Sequence, residues 1–395
     1  MTFNPAITAS IIPFPRQEEG HYHHCGLSID LQALQHNFKT LQSLLGSSLC
    51  SAVVKANAYG LGIGPCARAL YDVGCRHFFT AYLEEAIELK KNLLGYAPSD
   101  IKNHETKIYV LNGFMKGQEE EFLAHGFIPV LTDIEKVERW ASFSKQNPLP
   151  TVLHLDTGMN RTGLRFDRLS HSVLENSLSK LDIQIVMSHL ACSDDKNNPL
   201  NELQRKRFTK AVQELKLPSK PQLSLANSRG ICLLGPDYYY DMVRPGMALY
   251  GCATSYNKGL KSTLRLWARI YQIQTVPQNE SIGYAQSYFT QSDRKIATVT
   301  LGYADGFAWN LGAAGHEPFV MIGAYKAPIV GRVSMDLITI DVTDVPSEYI
   351  YEGAIVDILN ETISVNDLAK WASTLPYEIM LKLGGRLHRH YHEGE

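Results

Sequence analysis

The sequence predicts an α/β protein, a parallel (β/α)8 barrel followed by a mainly antiparallel β domain. Between about residues 26 and 264, eight short apolar runs alternate with helix-like segments, which is the order of elements in a barrel of parallel strands. After residue 264 the apolar runs follow one another without helices, as in antiparallel sheets. The length of 395 residues suits two or three domains at roughly 150 residues each. An open doubly wound sheet is the competing architecture for the first part.

The first elements follow from caps and periodicity. Residues 1–25 are interpreted as an N-terminal extension, and residues 26–264 as the barrel. An amphipathic helix is expected from Ser28, with Asp30 as its cap and apolar residues at helical spacing behind it. The barrel strands are expected at residues 49–54, 77–81, 107–111, 127–131, 151–155, 183–187, 222–225 and 247–250. Helices are expected between them, for example at residues 83–94, 133–144 and 201–215.

The second domain is expected to span residues 265–395. Its strands are predicted at residues 266–276, 295–301, 319–322, 329–333, 337–342 and 354–358. Glycine-rich turns separate several of these runs. A helical pattern returns only near the end, where Val365, Leu368 and Trp371 share one apolar face and residues 377–381 another.

Composition excludes several classes of function. The 38 basic and 40 acidic residues give a net charge of −2, so the chain lacks the positive excess of nucleic-acid-binding proteins. The seven cysteines are scattered and form no C-x-x-C pair, which argues against zinc and redox motifs. The sequence contains no run of about 20 apolar residues that predicts a membrane span. We therefore expect a cytoplasmic protein with reduced thiols and no metal.

Lys55 is the first residue that points to chemistry. It closes the apolar strand Ala52-Val53-Val54 and precedes a glycine-containing turn. At the C-terminal end of a barrel strand, where active sites of this fold lie, a partly buried lysine becomes a neutral nucleophile that forms a Schiff base with carbonyl compounds or pyridoxal phosphate. The alternative is a lysine whose ammonium reaches water from the strand end.

The segment around Lys55, VVKANAYGLG at residues 53–62, resembles the pyridoxal-phosphate motif of the alanine racemases. Further segments resemble the same family in the same order: residues 155–163 (LDTGMNRTG), 188–190 (SHL), 226–228 (ANS), 243–246 (VRPG), 283–284 (GY), 302–306 (GYADG) and 331–336 (GRVSMD). The resemblance runs from about Gly26 to the C-terminus. It implies a barrel followed by a β domain, a pyridoxal 5'-phosphate cofactor carried by Lys55, and the interconversion of L- and D-alanine.

The resemblance also implies two bases. Racemisation removes a proton from one face of the substrate carbon and returns one to the other face, so a single base tends to restore the starting enantiomer. Tyr284 matches the family's second base and would act on L-alanine, while Lys55 would act on D-alanine. A tyrosine is a base only as phenolate, and His189 with Arg244 behind it would stabilise that charge. A lone tyrosine in such a position is usually a sheet-surface aromatic.

The remaining site residues come from the same resemblance. Arg244 would face the pyridine nitrogen of the cofactor and keep it unprotonated. The cofactor-binding set implied by the family is Lys55, Tyr59, His189, Asn227, Ser228, Arg244, Gly246 and Met247. The substrate-binding set is Arg161, Met335, Tyr303 and Asp336. Tyr284, Met335, Tyr303 and Asp336 would come from the β domain of a partner subunit, so the resemblance implies a homodimer with shared active sites.

Several positions depart from the family pattern. Many members have a carbamylated lysine where this chain has His154, so a different group must steady Arg161. A second phosphate-binding tyrosine of some members falls at Gly385, and Arg229 is bulkier than the small residue expected there. The histidines at 21, 23, 24, 388, 390 and 392 suggest metal ligands, but flexible polar termini are the more economical interpretation.

The sequence thus predicts an alanine racemase, with three alternatives. One is a racemase of another amino acid, such as serine or a basic one, because one methyl-sized difference is worth only about 1–3 kcal/mol in a pocket. Another is a decarboxylase on the same plan, which would have no need of a proton-returning tyrosine. The third is a non-catalytic protein that binds pyridoxal phosphate, which would not need Tyr284 either.

Overall fold

The computed structural model describes residues 23–97, 99, 105–144, 147–167, 172–215, 217, 219–252, 256, 258–311 and 315–392. The chain divides into two compact units. The barrel unit lies within Leu34–Lys261, and the β unit consists of the described residues before Leu34 together with the described residues from Ser262 onward. The predicted fold class, a parallel barrel followed by a mainly antiparallel β domain, is confirmed.

The barrel unit is built on a ring of parallel strands. Its strands are β2 (Leu49–Cys50), β3 (Ala52–Val53), β4 (His77–Thr80), β5 (Lys107–Val110), β6 (Ile128–Leu131), β7 (Leu149–Asp156), β8 (Leu164–Arg165), β9 (Leu181–Met187), β10 (Gln222–Ser224) and β11 (Met242–Val243). Strands β3 to β7, β9 and β10 pair in order, and the short β8 pairs with β7. The ring closes because Ser51 N donates to Val243 O at 3.1 Å and Asp241 N donates to Leu223 O at 3.0 Å.

The predicted strand at residues 247–250 is wrong. The last strand of the ring is β11, and residues 247–250 form a turn. These residues are apolar because they are buried. Leu249 N donates to Gly246 O at 2.9 Å, which closes the turn. A short apolar run does not distinguish a buried strand from a buried turn.

Helices surround the ring, as the alternating pattern predicted. They are α1 (Leu31–Ser43), α2 (Ile63–Asp72), α3 (Leu83–Leu94), α4 (Glu119–His125), α5 (Ile134–Phe143), α6 (Ser172–Leu178) and α7 (Pro199–Glu214). Asp133 caps α5 by accepting from Lys136 N at 2.8 Å, and Asn198 caps α7 by accepting from Leu200 N at 3.0 Å. Side chains such as Phe79, Val130 and Ile185 form a packed core cluster of the barrel.

The β unit is organised around one long strand, β12 (Leu264–Val276). Its other strands are β1 (Cys25–Asp30), β13 (Ser281–Ile282), β14 (Tyr288–Phe289), β15 (Arg294–Val299), β16 (Phe319–Ile322), β17 (Tyr325–Val330), β18 (Ile338–Asp341), β19 (Ile355–Leu359) and β20 (His388–His392). The main sheet has the order β15-β18-β17-β16-β19-β12-β1-β20, and β15 also pairs with β12. Two helices follow β19, α8 (Val365–Trp371) and α9 (Pro376–Lys382), close to the predicted positions.

The start of the described chain differs from expectation. The helix expected from Ser28 begins at Leu31, where Asp30 accepts from Ala33 N at 2.8 Å. Residues before it form β1, which pairs antiparallel with β12 and parallel with β20. The structure therefore groups these residues with the β unit, whereas the predicted barrel range began at residue 26. Within the described residues, no helix combines the length and apolarity needed to cross a membrane.

Candidate active site

Lys55 begins a turn with unusual backbone geometry. Ala56, Asn57, Ala58 and Tyr59 have φ values of 53°, 55°, 53° and 56°, a left-handed conformation that costs about 1–2 kcal/mol for each non-glycine residue. Glu85 holds the turn, because its Oε1 accepts from Ala56 N at 2.7 Å and its Oε2 from Ala81 N at 2.7 Å. Strain of this kind persists only where neighbouring structure fixes it and is common in active sites.

The amine of Lys55 lies in an environment that disfavours its charge. Burial, and then the nearby positive charge of Arg161, lower the pKa of Lys55, while Glu85 opposes the shift. A lower pKa increases the fraction of neutral amine near pH 7. The direction of this shift favours the neutral, nucleophilic form of lysine.

Ser228, Gly246 and Tyr59 form a cluster in the same unit. Ser228 Oγ accepts from Gly246 N at 2.9 Å and from Ala248 N at 3.1 Å. Both lone pairs of this hydroxyl are then occupied, which leaves its proton to donate. Gly246 packs directly against Tyr59, because a Cβ at Gly246 would overlap the Tyr59 hydroxyl and lie 2.9 Å from Cζ of its ring. Two hydroxyl groups beside a backbone without a side chain suit a phosphate.

Arg244 is a buried cation, with 4% of its surface exposed. Its guanidinium donates to the Ser224 hydroxyl and to Ser188 O, the latter at 2.5 Å. No carboxylate among the described residues forms an ion pair with it. Burial lowers the pKa of Arg244 to about 10, which still leaves it charged at neutral pH. A buried uncompensated cation is costly, and an anionic ligand would relieve that cost.

Two histidines near Arg244 lie where burial and positive charge disfavour protonation. Burial first, and then the positive charge of Arg244, lower the pKa of His154 to about 3 and that of His189 well below its usual value. Neutral imidazoles hydrogen-bond without adding to the positive charge. His154 occupies the position where many family members have a carbamylated lysine, so this chain places a neutral ring where those members place a negative charge.

Arg161 follows a loop that Asp156 organises. Asp156 Oδ1 accepts from the backbone N–H groups of Gly158, Met159 and Asn160 at 2.9, 3.0 and 3.1 Å. The exposed guanidinium of Arg161 makes no hydrogen bond or ion pair to any described residue. Its charge nevertheless lowers the pKa of Lys55, so Arg161 belongs to the same electrostatic site.

The other two barrel residues of the predicted cofactor-binding set are Asn227 and Met247. Asn227 Oδ1 accepts from Gly230 N at 2.9 Å and from Ser193 Oγ at 3.1 Å, which fixes the turn after β10. Met247 is buried at 7% exposure and lies in the turn that follows Gly246. Arg229 points toward Asp194, with Nη1 3.5 Å from its Oδ2.

The chemistry of the barrel residues tests whether pyridoxal phosphate, the cofactor implied by the resemblance, fits this site. Pyridoxal phosphate carries a phosphate, and its amino-acid partner carries a carboxylate. The barrel unit offers hydroxyl groups at Tyr59 and Ser228, a close backbone approach at Gly246, a lysine with a lowered pKa, and two arginines without carboxylate partners among the described residues. These residues fit an anionic aldehyde cofactor.

The predicted residues of the β unit lie on loops that meet one another. Gly283 has φ 74° and lies against Arg332, and Tyr284 after it is 70% exposed. The Tyr303 loop (residues 302–306) lies against the Met335 loop (residues 331–336), because Tyr303 N donates to Ser334 O at 3.0 Å and Ala304 N donates to Met335 O at 2.9 Å. Three sequence motifs thus come together in this unit.

Met335 is a 53% exposed residue whose N–H group has no acceptor among the described residues. Asp336, beside it, accepts from Arg386 Nη1 at 2.7 Å. Sequence reasoning missed Arg386 and Glu85, because an isolated arginine after two glycines and a glutamate in a first helical turn carry no motif.

The terminal histidines are partly ordered. His388–His392 form β20, and the rings of His23 and His388 stack at 3.7 Å, so the expectation of a flexible terminus is wrong for these residues. His21 lies outside the described residues. Among the described part of the chain, no three His, Cys, Asp or Glu side chains are grouped so as to hold a metal ion.

Comparison with known proteins agrees with these features. The family model for the alanine racemase N-terminal domain matches residues 29–254, and the model for the C-terminal domain matches residues 263–391. The alanine racemase of Rickettsia rickettsii is 40% identical over 370 residues, which cover 93% of this chain and 99% of that protein. The alanine racemase of Brucella abortus is 38% identical over 401 residues, with 96% of each chain covered.

Solved structures extend the likeness to the fold. The crystal structure of alanine racemase from Bartonella henselae with covalently bound pyridoxal phosphate is similar to this chain with a TM-score of 0.83 and 34% identity. The match covers 93% of this chain and 99% of that one.

Proposed function

The chain belongs to the alanine racemase family, and from this premise we propose that it interconverts L- and D-alanine with pyridoxal phosphate in an active site shared by two copies of the chain. The observation that carries the proposal is the barrel unit's cluster of uncompensated positive charge around a lysine of lowered pKa. Such a cluster suits a cofactor and a substrate that are both anionic.

Each barrel residue has a distinct task. Bound pyridoxal phosphate supplies the electron withdrawal that makes the α-hydrogen of an amino acid acidic. Lys55 anchors the cofactor and then, as a free amine, accepts or returns a proton at the α-carbon. Tyr59, Ser228 and Met247 bind the phosphate, Gly246 orients the Ser228 hydroxyl and leaves room beside Tyr59, and Asn227 holds the turn that presents Ser228. Arg244 keeps a positive charge beside the ring, and Arg161 binds the substrate carboxylate.

The second base is proposed to be Tyr284. It would act on L-alanine and Lys55 on D-alanine, so that protons leave and return on opposite faces. His189 and Arg244 would stabilise the phenolate, because a cation behind a neutral imidazole polarises its N–H group toward an acceptor. Met335 N–H would bind the substrate carboxylate, and Tyr303 and Asp336 would line the way in.

We place the tyrosine side of each site on a second copy of the chain, so that residues 265–395 of one copy complete the barrel site of another. Tyr284, Tyr303 and Met335 are 70%, 46% and 53% exposed. Large exposed aromatic and apolar side chains grouped on one unit are typical of surfaces that bind a partner. A homodimer explains both this exposure and the need for two bases.

Complementation tests the shared site. A Lys55→Ala chain and a Tyr284→Phe chain are each expected to be inactive, but mixed dimers carry one site with both native residues. Equal mixing with free exchange should restore about a quarter of the wild-type activity, because half of the dimers are mixed and each has one native site of two. Mixing Lys55→Ala with His189→Gln is the control, since both changes lie in the barrel unit and no native site forms. Absence of restoration in the first mixture would contradict the shared site.

Substrate comparison tests the reaction. Alanine should have a higher kcat/KM than serine, lysine or arginine in assays of chiral inversion. Preference for serine or a basic amino acid would replace alanine in the proposal. Release of carbon dioxide from any of them would identify a decarboxylase. A cofactor-loaded dimer that inverts none of them would be a pyridoxal-phosphate-binding protein.

The proposed compartment is the cytoplasm. All seven cysteines lie in the described part of the chain, none is joined in a disulfide there, and most are buried. Seven cysteines without disulfides are typical of reducing compartments. Cell fractionation with detection of the chain would test this, and its recovery from an oxidising compartment would contradict the assignment.

A further inference from the structure

Arg386 joins the two loops that carry Tyr303 and Met335. Its Nε lies 3.2 Å from Asp305 Oδ1, in the Tyr303 loop, and its Nη1 lies 2.7 Å from Asp336 Oδ1, in the Met335 loop. One planar guanidinium thus contacts a carboxylate on each loop. Arginine suits this arrangement because its N–H groups point in fixed directions.

The two contacts differ in burial. Asp305 is 2% exposed, and its Oδ2 also accepts from Gly302 N at 2.9 Å. Its backbone oxygen accepts from Gly384 N at 2.8 Å, two residues before Arg386. The Asp305 contact therefore fixes the arginine to the Tyr303 loop, and the half-exposed Asp336 side chain is the part that Arg386 holds in place.

The loops are also close enough to move together. A Cβ at Gly302 would overlap Met335 O and lie 2.5 Å from Asp336 N. Tyr303 N and Ala304 N donate across the same gap. A shift of Asp336 therefore displaces both the Tyr303 ring and the unbonded N–H group of Met335.

We propose that Arg386 is a positioning residue of the racemase, which sets the substrate-binding geometry of Tyr303 and Met335 by holding the two loops together through Asp305 and Asp336. The inference rests on the proposed function, because that function places the two loops at the substrate. It predicts a role in binding amino-acid substrates and none in proton transfer.

The test compares Arg386→Ala, Arg386→Lys and the control Arg294→Ala. Arg294 forms an ion pair with Asp341 at 3.6 Å, in the same unit but at the ends of β15 and β18 that are farther along the chain from the Tyr303 and Met335 loops. Arg386→Ala should raise KM for alanine about tenfold with kcat changed less than about twofold, the pattern of lost binding geometry. Arg386→Lys should recover part of this loss, because one ammonium cannot reach both carboxylates as a fork does. Arg294→Ala should leave KM unchanged even where it lowers stability.

Hydrogen exchange supplies a readout that does not depend on activity. The amides of Tyr303 and Ala304 should exchange faster in Arg386→Ala than in the wild type, and at the wild-type rate in Arg294→Ala. Unchanged exchange at these amides would overturn the inference, as would a fall in kcat with KM unchanged. If the wild-type chain inverts no amino acid, the proposed function fails, and the exchange rates still decide whether Arg386 holds the loops.

Discussion

The two halves of the proposed site are held by the fold in different ways. In the barrel unit Arg244 and Ser228 are each 4% exposed and are bonded to neighbouring strands and turns. In the β unit Tyr284 and Met335 are 70% and 53% exposed, and their loops are fixed while their functional groups are left at the surface. We therefore expect the barrel half to be formed before any ligand arrives, and the β half to become a site only when another surface covers it.

The halves also differ in charge balance. Arg244 and Arg161 have no carboxylate partner among the described residues, whereas Arg386 contacts both Asp305 and Asp336. An uncompensated cation attracts an anion, and a compensated one organises its neighbours. We therefore expect the cofactor to bind to the barrel half alone and catalysis to require both halves.

The largest expected effects come from removing one base from each half. Lys55→Ala should abolish both activity and the cofactor's protein-bound absorbance. Tyr284→Phe should keep the absorbance and lower racemisation about 10²–10⁴-fold, the usual contribution of a proton-transfer group. Because the enantiomers have equal free energy, kcat/KM must fall equally in the two directions. In deuterated water, however, Tyr284→Phe should still exchange the α-hydrogen of D-alanine, since Lys55 remains, and not that of L-alanine.

The matched control for this pair is Tyr288→Phe. Tyr288 lies in β14, close to Tyr284 in sequence and outside the motif residues, so its hydroxyl should be dispensable for racemisation. Retained exchange of L-alanine in Tyr284→Phe would reverse the assignment of the two faces. Loss of the cofactor absorbance in Tyr284→Phe would contradict the independence of the barrel half.

A smaller effect is expected from adding a methyl group at Gly246, beside the proposed phosphate-binding residues Tyr59 and Ser228. In Gly246→Ala the new methyl group would overlap the Tyr59 hydroxyl, so the Tyr59 ring must move. This ring packs against Tyr250 with centroids 4.9 Å apart. The dissociation constant of pyridoxal phosphate should rise about 10–100-fold, equivalent to one or two displaced hydrogen bonds to a charged group, as measured by absorbance titration. Gly95→Ala is the control, because Gly95 has a helical φ of −69° and no close neighbour. Equal affinity of the two variants for pyridoxal phosphate would contradict a role of Gly246 in the phosphate site.

The sequence could predict features that leave a local pattern along the chain. Alternating apolar runs placed most barrel strands and helices within a few residues, because buried parallel strands and amphipathic helices leave periodic patterns. The motif order identified Lys55, Arg244 and Tyr284 as candidates. The strand predicted at residues 247–250 was wrong because this buried turn, whose Ala248 N–H group donates to Ser228, is as apolar as a strand.

Other features depend on contacts between distant residues. The left-handed turn after Lys55 consists of alanine, asparagine and tyrosine, and this run does not predict four successive positive φ angles as a run of glycines would. Glu85, which is distant in sequence, holds the turn. Arg386 acquires its role only because the Tyr303 and Met335 loops lie side by side. The addition of β1 to the β unit was also hidden, because its partners lie more than 200 residues later in the chain.

The smallest expected effect is on the free energy of unfolding at acidic pH, and it arises from a buried histidine of the barrel half. Burial and Arg244 lower the pKa of His154 to about 3, below its value near 6.5 in the unfolded chain. The unfolded state therefore binds more protons, and the stability that the neutral ring contributes is complete above pH 6.5 and is lost as the pH falls toward 3. Each pH unit in this range should remove about 1.4 kcal/mol through His154. Between pH 6.5 and 5, urea unfolding of the cofactor-free chain should show a loss about 2 kcal/mol smaller in His154→Gln than in the wild type. An equal slope in the wild type and in His154→Gln would show that the folded barrel does not lower the pKa of His154.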